Sequence, residues 1–156
     1  MLEREFKVHT KWSSLTKNDM SQSRSNPKTH RTYIKNKEVL TISAAKEFKG
    51  DETKHNPEDL FLSALASCHM MSYMYLCDKN NITILDYTDE TSGILLVNAD
   101  GSGAFISIIL HPIVIILEKN KIDLATELHK EANRLCFIAN SCSVHINHKP
   151  QIQIAK

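Results

Sequence analysis

Cys68 stands in the middle of the most apolar stretch of the chain, NPEDLFLSALASCHMMSYMYLC, which runs from Asn56 to Cys77. Cys136 lies near the end of a second periodic stretch, IDLATELHKEANRLCFIAN. A thiol placed this way is either inert filling, since free cysteine is among the most buried residue types, or one half of a redox couple. Two thiols within bonding reach interconvert between dithiol and disulfide. Cys77 and Cys142 complete the set, and no CxxC pair occurs among the four. A zinc cage needs ligands at closer, paired spacing. The chemistries to weigh are therefore redox work by one or two thiols and four inert core thiols.

The elements that must position these thiols are legible. Asn56 is a good N-cap, and Pro57 sits at the first helical position, where its missing N–H costs nothing. Glu58 and Asp59 place negative charge on the positive end of the helix dipole. Leu60, Phe61, Leu62, Leu65, Met70, Met71, Met74 and Leu76 then surround the axis. A helix apolar all round is buried in a core or an interface; in a chain of 156 residues this favours a second protomer, a sheet on one side and another helix opposite being the alternative. In the second stretch Ala125, Leu128, Ala132 and Cys136 fall on one helical face, widened by Leu124 and Leu135. Two antiparallel or crossing helices would bring Cys68 and Cys136 together.

The rest reads as strands. FKVHTKWSS alternates weakly, and the polar run SLTKNDMSQSRSNPKTH reads as a loop. RTYIKNKEVLTISAA resembles a hairpin around Lys35–Lys37, and KEFKGDETKH is a charged linker. ITILDYT, GILLVNA and AFISIIL follow, the last two joined by the turn NADGSGA. Pro112 interrupts before IVIIL, and SVHINH and QIQIAK finish the chain. Strands, helix, strands, helix, strands is an α+β order, read as a single domain over residues 1–156. The 19 basic and 18 acidic residues nearly balance, with no basic run, so a nucleic-acid partner is not expected. The longest apolar runs are broken by polar residues or Pro112, so no membrane span is expected. The charged start MLEREFKVHT lacks the apolar core of a signal peptide. A cytoplasmic protein is expected, and in a reducing compartment a disulfide framework is not.

NPEDLFLSALASCHM together with HKEANRLCFIANS resembles the OsmC/Ohr family, the osmotically inducible and organic-hydroperoxide-resistance proteins. Glu58 to Cys68 spans the ten positions that separate the family's Asn-Pro-Glu opening from its first cysteine, and LCFIANS resembles the segment holding the second. The resemblance implies an OsmC-like fold, with two β-sheets around two long central helices in an intertwined homodimer. It implies a peroxidase that reduces organic hydroperoxides and needs no metal, flavin or haem. Cys68 would attack the O–O bond and become a sulfenic acid, Cys136 would resolve it as a disulfide, and a lipoyl-type dithiol would reduce the pair. An apolar pocket would favour organic over hydrogen peroxide; Met70, Met71, Met74 and Phe61 are candidate lining, or plain core. The chain departs from the family at Phe137, where many relatives have proline. Cys77 and Cys142 match no family position and read as structural, with Cys142 an alternative resolving thiol.

A buried peroxidatic thiol needs a positive partner. The helix dipole does not serve, because Cys68 lies twelve residues past Asn56 and the effect fades within the first turn. His69 projects about 100° away from Cys68 on a helix and reads as structural or interfacial. His9, His30, His55, His111, His129, His145 and His148 show no trusted ligand spacing. The family uses an arginine, and the choices are Arg4, Arg24, Arg31 and Arg134. Arg31 occupies the place that resembles the family's; a solvated strand arginine is the plain alternative. In the family Glu58's counterpart pairs with that arginine. Ten residues of one helix separate Glu58 and Cys68 by roughly 15 Å, on different faces. If Glu58 serves the arginine beside Cys68, the simplest source is Glu58 of a two-fold partner. The competing readings are an OsmC-fold binding or stress protein without turnover, and a metal site built from Cys68, Cys136 and histidines.

Overall fold

The computed structural model describes residues 2–13 and 28–155, in two compact units, one through Phe61 and one from Leu62. Arg24 and most of the polar run around it lie outside the described residues. The first unit holds an antiparallel three-stranded sheet of β1 (His9–Lys11), β2 (His30–Tyr33) and β3 (Leu40–Ile42), in the order β1-β2-β3. Asn36, in the left-handed region at φ 62°, turns β2 into β3 at the polar centre read from the sequence. The charged linker contains a short 3-10 turn, Lys46–Phe48. Gly50 is required just after it, because a Cβ there would meet the Ala44 carbonyl oxygen at 1.7 Å.

The long helix α1 (Pro57–Lys79) starts where the sequence places it. The Asp59 amide donates to Asn56 Oδ1 at 2.8 Å, so the N-cap is made. By length and composition alone α1 is long and apolar enough to cross a membrane. A core helix meets the same test, and Leu65, His69, Tyr73, Leu76 and Cys77 of α1 are buried. Their spacing of four, four, three and one makes a single buried stripe, while Met71 and Tyr75 are more than half exposed.

In the second unit α1 is followed by β4 (Ile84–Asp89), β5 (Ser92–Val97), β6 (Gly103–Leu110) and β7 (Pro112–Ile116). Then come α2 (Ile122–Leu135), α3 (Phe137–Asn140), β8 (Ile146–His148) and β9 (Gln151–Ile154). The strands form two mixed three-stranded sheets, ordered β4-β7-β9 and β5-β6-β8. With the β1-β2-β3 sheet the described residues therefore hold three sheets, where the family resemblance implied two. The chain changes sheet between β6 and β7 at His111 and again between β8 and β9 at Lys149 and Pro150. The Lys149 amide donates to the Leu110 carbonyl at 2.9 Å, so the parallel pairing continues around the corner. Asp89 Oδ1 accepts from the His111 amide at 2.8 Å and fixes the bend. Pro112 opens β7, a strand position where its missing N–H is tolerated. A core of Tyr73, Leu76, Ile82, Val114, Ile116, Ala125, Leu128 and Ala132 joins α1 and α2 to the β4-β7-β9 sheet.

The second helix differs from its sequence reading. α2 stops at Leu135, 14 residues long, and Cys136 is extended at φ −72°, ψ 109°. A one-turn helix, α3, then restarts at Phe137. Cys136 thus stands in a break rather than on a helix face, and its sulfur caps α3 by accepting from the Ala139 amide at 3.4 Å. Phe137 occupies the first position of α3, where proline is favoured and no helical acceptor serves the N–H. The residue before a proline prefers extended backbone, which Cys136 already has. Phe137→Pro should leave the urea midpoint unchanged or raise stability by about 0.4–1 kcal/mol, whereas Ala132→Pro, inside α2, should cost about 3 kcal/mol or more.

Candidate active site

Cys68 lies half-buried on α1 and Cys136 is wholly buried in the break after α2; both are free thiols. The Cys68 side chain lies close enough to Cys136 to act on its thiol. Burial pushes the Cys136 thiol up to about 11, and the adjacent Cys68 sulfur adds to the rise, against the pull of the Ala139 amide. Cys136 is therefore held protonated at neutral pH. Cys77 is buried in the core beneath Tyr73, and burial likewise raises its thiol. Cys142, six residues past Cys136, donates its S–H to the Ile138 carbonyl at 3.0 Å.

Besides the apolar core, two side-chain hydrogen bonds among the described residues join α1 to α2. His69 Nε2 and His129 Nδ1 share a hydrogen bond of 3.0 Å, and the Tyr73 hydroxyl donates to the Ala125 carbonyl at 3.1 Å. They step in opposite chain directions, as in antiparallel helices. The His69 and His129 rings lie 13° from parallel with centroids 5.3 Å apart, so the two imidazoles meet almost in one plane. Tyr73 stacks on His129 at 3.8 Å and His148 on His69 at 4.7 Å. Burial lowers His69 to about 4 and His129 to about 3; repulsion by His148 adds to both, and His69 adds to the fall at His129. Burial also lowers His148, against the attraction of Asp89. Among the described residues no three His, Cys, Asp or Glu side chains form a group able to hold a metal ion.

Arg31 is exposed on β2, opposite Lys11 of β1 and Thr41 of β3. Glu58 lies in the first turn of α1, and its Oε2 is buried with no hydrogen-bond partner among the described residues. No ion pair joins Arg31 to Glu58 among the described residues. Arg134 is exposed and paired with Glu131 on its own helix. The structure thus brings Cys68 and Cys136 together and leaves Arg31 and Glu58 apart from one another.

A family model described as OsmC-like protein matches residues 50–150. The chain belongs to the OsmC-like protein family. This OsmC-like protein is 26% identical over 106 residues to the uncharacterized protein YmaD of Bacillus subtilis, covering 66% of this chain and 70% of that one. In fold it is similar to an OsmC-like protein of unknown function from Vibrio cholerae, with a TM-score of 0.84 at 23% identity, covering 95% and 99% of the two chains. It is also similar to an organic hydroperoxide resistance protein OsmC from Legionella pneumophila, with a TM-score of 0.69 at 16% identity over 97% and 99%. OhrB of Bacillus subtilis gives 0.62 at 19% identity over 96% and 98%.

The histidine cluster is the feature that sequence reasoning missed. The signal was present: His69 sits four residues after Leu65 and four before Tyr73, and His129 four after Ala125 and three before Ala132, so each interrupts a buried stripe. The cluster has a consequence for stability. Its folded values lie below the ordinary 6.5. Below pH 6.5 the unfolded chain takes up protons that the folded chain refuses, so these groups cost no stability above that pH and a growing amount as pH falls towards 4. The slope is about 1.4 kcal/mol per pH unit for each group. The urea midpoint should drop between pH 7 and pH 5, and drop less steeply in His129→Gln; parallel curves would place the acid sensitivity elsewhere.

Proposed function

We propose that this OsmC-like protein is a thiol-dependent peroxidase that reduces organic hydroperoxides to alcohols. The proximity of the Cys68 and Cys136 thiols carries the reading. The Cys68 thiolate attacks the terminal peroxide oxygen; an S–O bond forms, the O–O bond breaks, and the alkoxide leaves as the alcohol after taking a proton. Cys68 is then a sulfenic acid, oxidised by two electrons. Cys136 attacks that sulfur, its thiol proton leaves with the hydroxyl as water, and a disulfide remains. An external dithiol of lipoyl type returns both cysteines to thiols and becomes a disulfide itself. The division of labour follows from burial. Cys68 is the accessible member of the pair, and Cys136, buried and held protonated, suits the second step. The names of the Legionella and Bacillus proteins of similar fold, both organic hydroperoxide resistance proteins, support the same chemistry.

In this reading Arg31 is the cation that activates Cys68, and Glu58 orients it. Glu58 and Cys68 stand ten residues apart on α1, roughly 15 Å along its axis, so Glu58 serves the site of a second copy. A buried Glu58 Oε2 without a partner is what a single chain of such a pair would leave. The exposed apolar side chains of Met71, Tyr75, Ile94 and Ile106 support the same homodimer. Cys68→Ser and Glu58→Ala chains should each be inactive towards an alkyl hydroperoxide with a lipoyl dithiol. Refolded together they should regain activity, because each mixed dimer holds one intact composite site. Multiple turnovers by Cys68→Ser would rule out the chemistry, and no recovery in proven mixed dimers would rule out the shared site.

A further inference from the structure

The last turn of a helix leaves carbonyls without helical donors. At the end of α2 one of them is taken by a side chain. Asn140, the final residue of α3, turns its carboxamide back across the break. Its Nδ2 donates to the Arg134 carbonyl at 2.8 Å and to the Cys136 carbonyl at 2.9 Å. The Asn140 amide donates to the Cys136 carbonyl as well, at 3.0 Å. In a continuing helix the Arg134 carbonyl would accept from the amide four residues on, that of Ile138. Asn140 occupies that acceptor and leaves the Ile138 amide for another. Both the Ala139 amide, at 3.4 Å, and the Ile138 amide act on the Cys136 sulfur and pull its thiol down against burial. From α1 the Cys68 thiol faces the same sulfur and pushes it up. On α2, Glu131 and Arg134 are paired with each other, and past α3 the Cys142 thiol is turned to the Ile138 carbonyl.

On the peroxidase reading, negative charge develops on the Cys136 sulfur twice. It does so first as Cys136 attacks the Cys68 sulfenic acid: the S–S bond forms, the S–O bond breaks, and the hydroxyl leaves as water with the thiol proton. It does so again when a dithiol reduces the disulfide. The thiolate of the reductant attacks the sulfur it can reach, that of Cys68. The S–S bond breaks, its electron pair goes to the Cys136 sulfur, and a proton from water follows. The second thiolate of the reductant then closes the reductant's own disulfide and releases Cys68. A leaving thiol departs faster the lower its pKa. Amide donors favour the charged form of a buried sulfur, and a hydrogen bond to a charge is stronger than one to a neutral group.

We propose that Asn140 is a positioning residue for the thiol pair: by holding the Arg134 carbonyl it keeps the Ile138 and Ala139 amides on the Cys136 sulfur, and so makes Cys136 the leaving group when a dithiol reduces the disulfide. Its place in a catalytic cycle rests on the peroxidase reading, but its test needs no peroxide. Wild-type and Asn140→Leu chains are oxidised with diamide, which takes up the two electrons and two protons, and are then reduced with a lipoyl dithiol at pH 7. Leucine has about the size of the amide without its donors, so the variant should be reduced about tenfold more slowly. Alkylation of Cys68 by iodoacetamide in the reduced chains should agree within about twofold, whereas general disturbance of the site would change both rates together. Asn140→Gln, which keeps the donors on a longer arm, should lose less than Asn140→Leu. The Ile138 and Ala139 amide proton shifts should move when the wild-type disulfide forms and stay nearly still in Asn140→Leu. Equal rates of reduction, a parallel fall in Cys68 alkylation, the same amide shifts in both chains, or no Cys68–Cys136 disulfide with diamide would overturn the assignment. Because diamide makes the disulfide without peroxide, a lack of hydroperoxide turnover counts against the peroxidase reading alone.

Discussion

The hydrogen bond between His69 and His129 is the constraint on which the placement of the thiols rests. It ties α1 to α2 at a point one residue from Cys68 and seven before Cys136. Imidazoles are an expensive way to join two buried helices, because both must give up their charge and each leaves an outer nitrogen to satisfy. What they provide is register. Leucine against alanine would tolerate a slide of one turn; two ring nitrogens 3.0 Å apart, clamped by stacked Tyr73 and His148, do not. With the register fixed, the break that ends α2 lands beside Cys68. Removing one imidazole would leave the other buried without its partner, a loss of about 1–3 kcal/mol.

The break itself prepares Cys136 for a single role. On a continuing helix the neighbouring amides would be bonded within the helix and none would be available to its sulfur. In the break it caps α3 and receives the Ala139 amide, while burial keeps it protonated. A thiol of that kind waits for an electrophile rather than seeking one. Cys68, half-buried beside the exposed side chains of Met71 and Tyr75, is the sulfur that small molecules can reach. Such a division of burial between two neighbouring thiols is the physical content of the peroxidase reading.

Much of the frame was legible in the residues. Asn56 and Pro57 marked the start of α1 because capping chemistry is local. The strands from Ile84 to Ile116 followed from β-branched runs and the Asn98–Gly103 turn, where Gly101 sits at φ 85°. Three features were not legible. The end of α2 carries no glycine or proline; the break at Cys136 is held by local bonds, the Ala139 amide on the Cys136 sulfur and the Asn140 side chain on the Arg134 and Cys136 carbonyls, which no breaker residue announces. The division into sheets depends on where the chain turns a corner, and the corner at His111 is made by a side chain, Asp89, from another strand. The histidines were read one at a time for ligand spacing, whereas their pairing joins residues sixty apart. Arg31 and Glu58 came from the family resemblance alone, since neither burial nor period singles them out.

The central claim is that Cys68 and Cys136 form one redox couple. It is tested most directly by treating the reduced chain with one equivalent of tert-butyl hydroperoxide, blocking the remaining thiols under denaturing conditions and mapping the peptides by mass spectrometry. The account predicts a single intrachain disulfide between Cys68 and Cys136, with Cys77 and Cys142 blocked as free thiols. A disulfide between Cys136 and Cys142, or four free thiols after exposure to the peroxide, would contradict it.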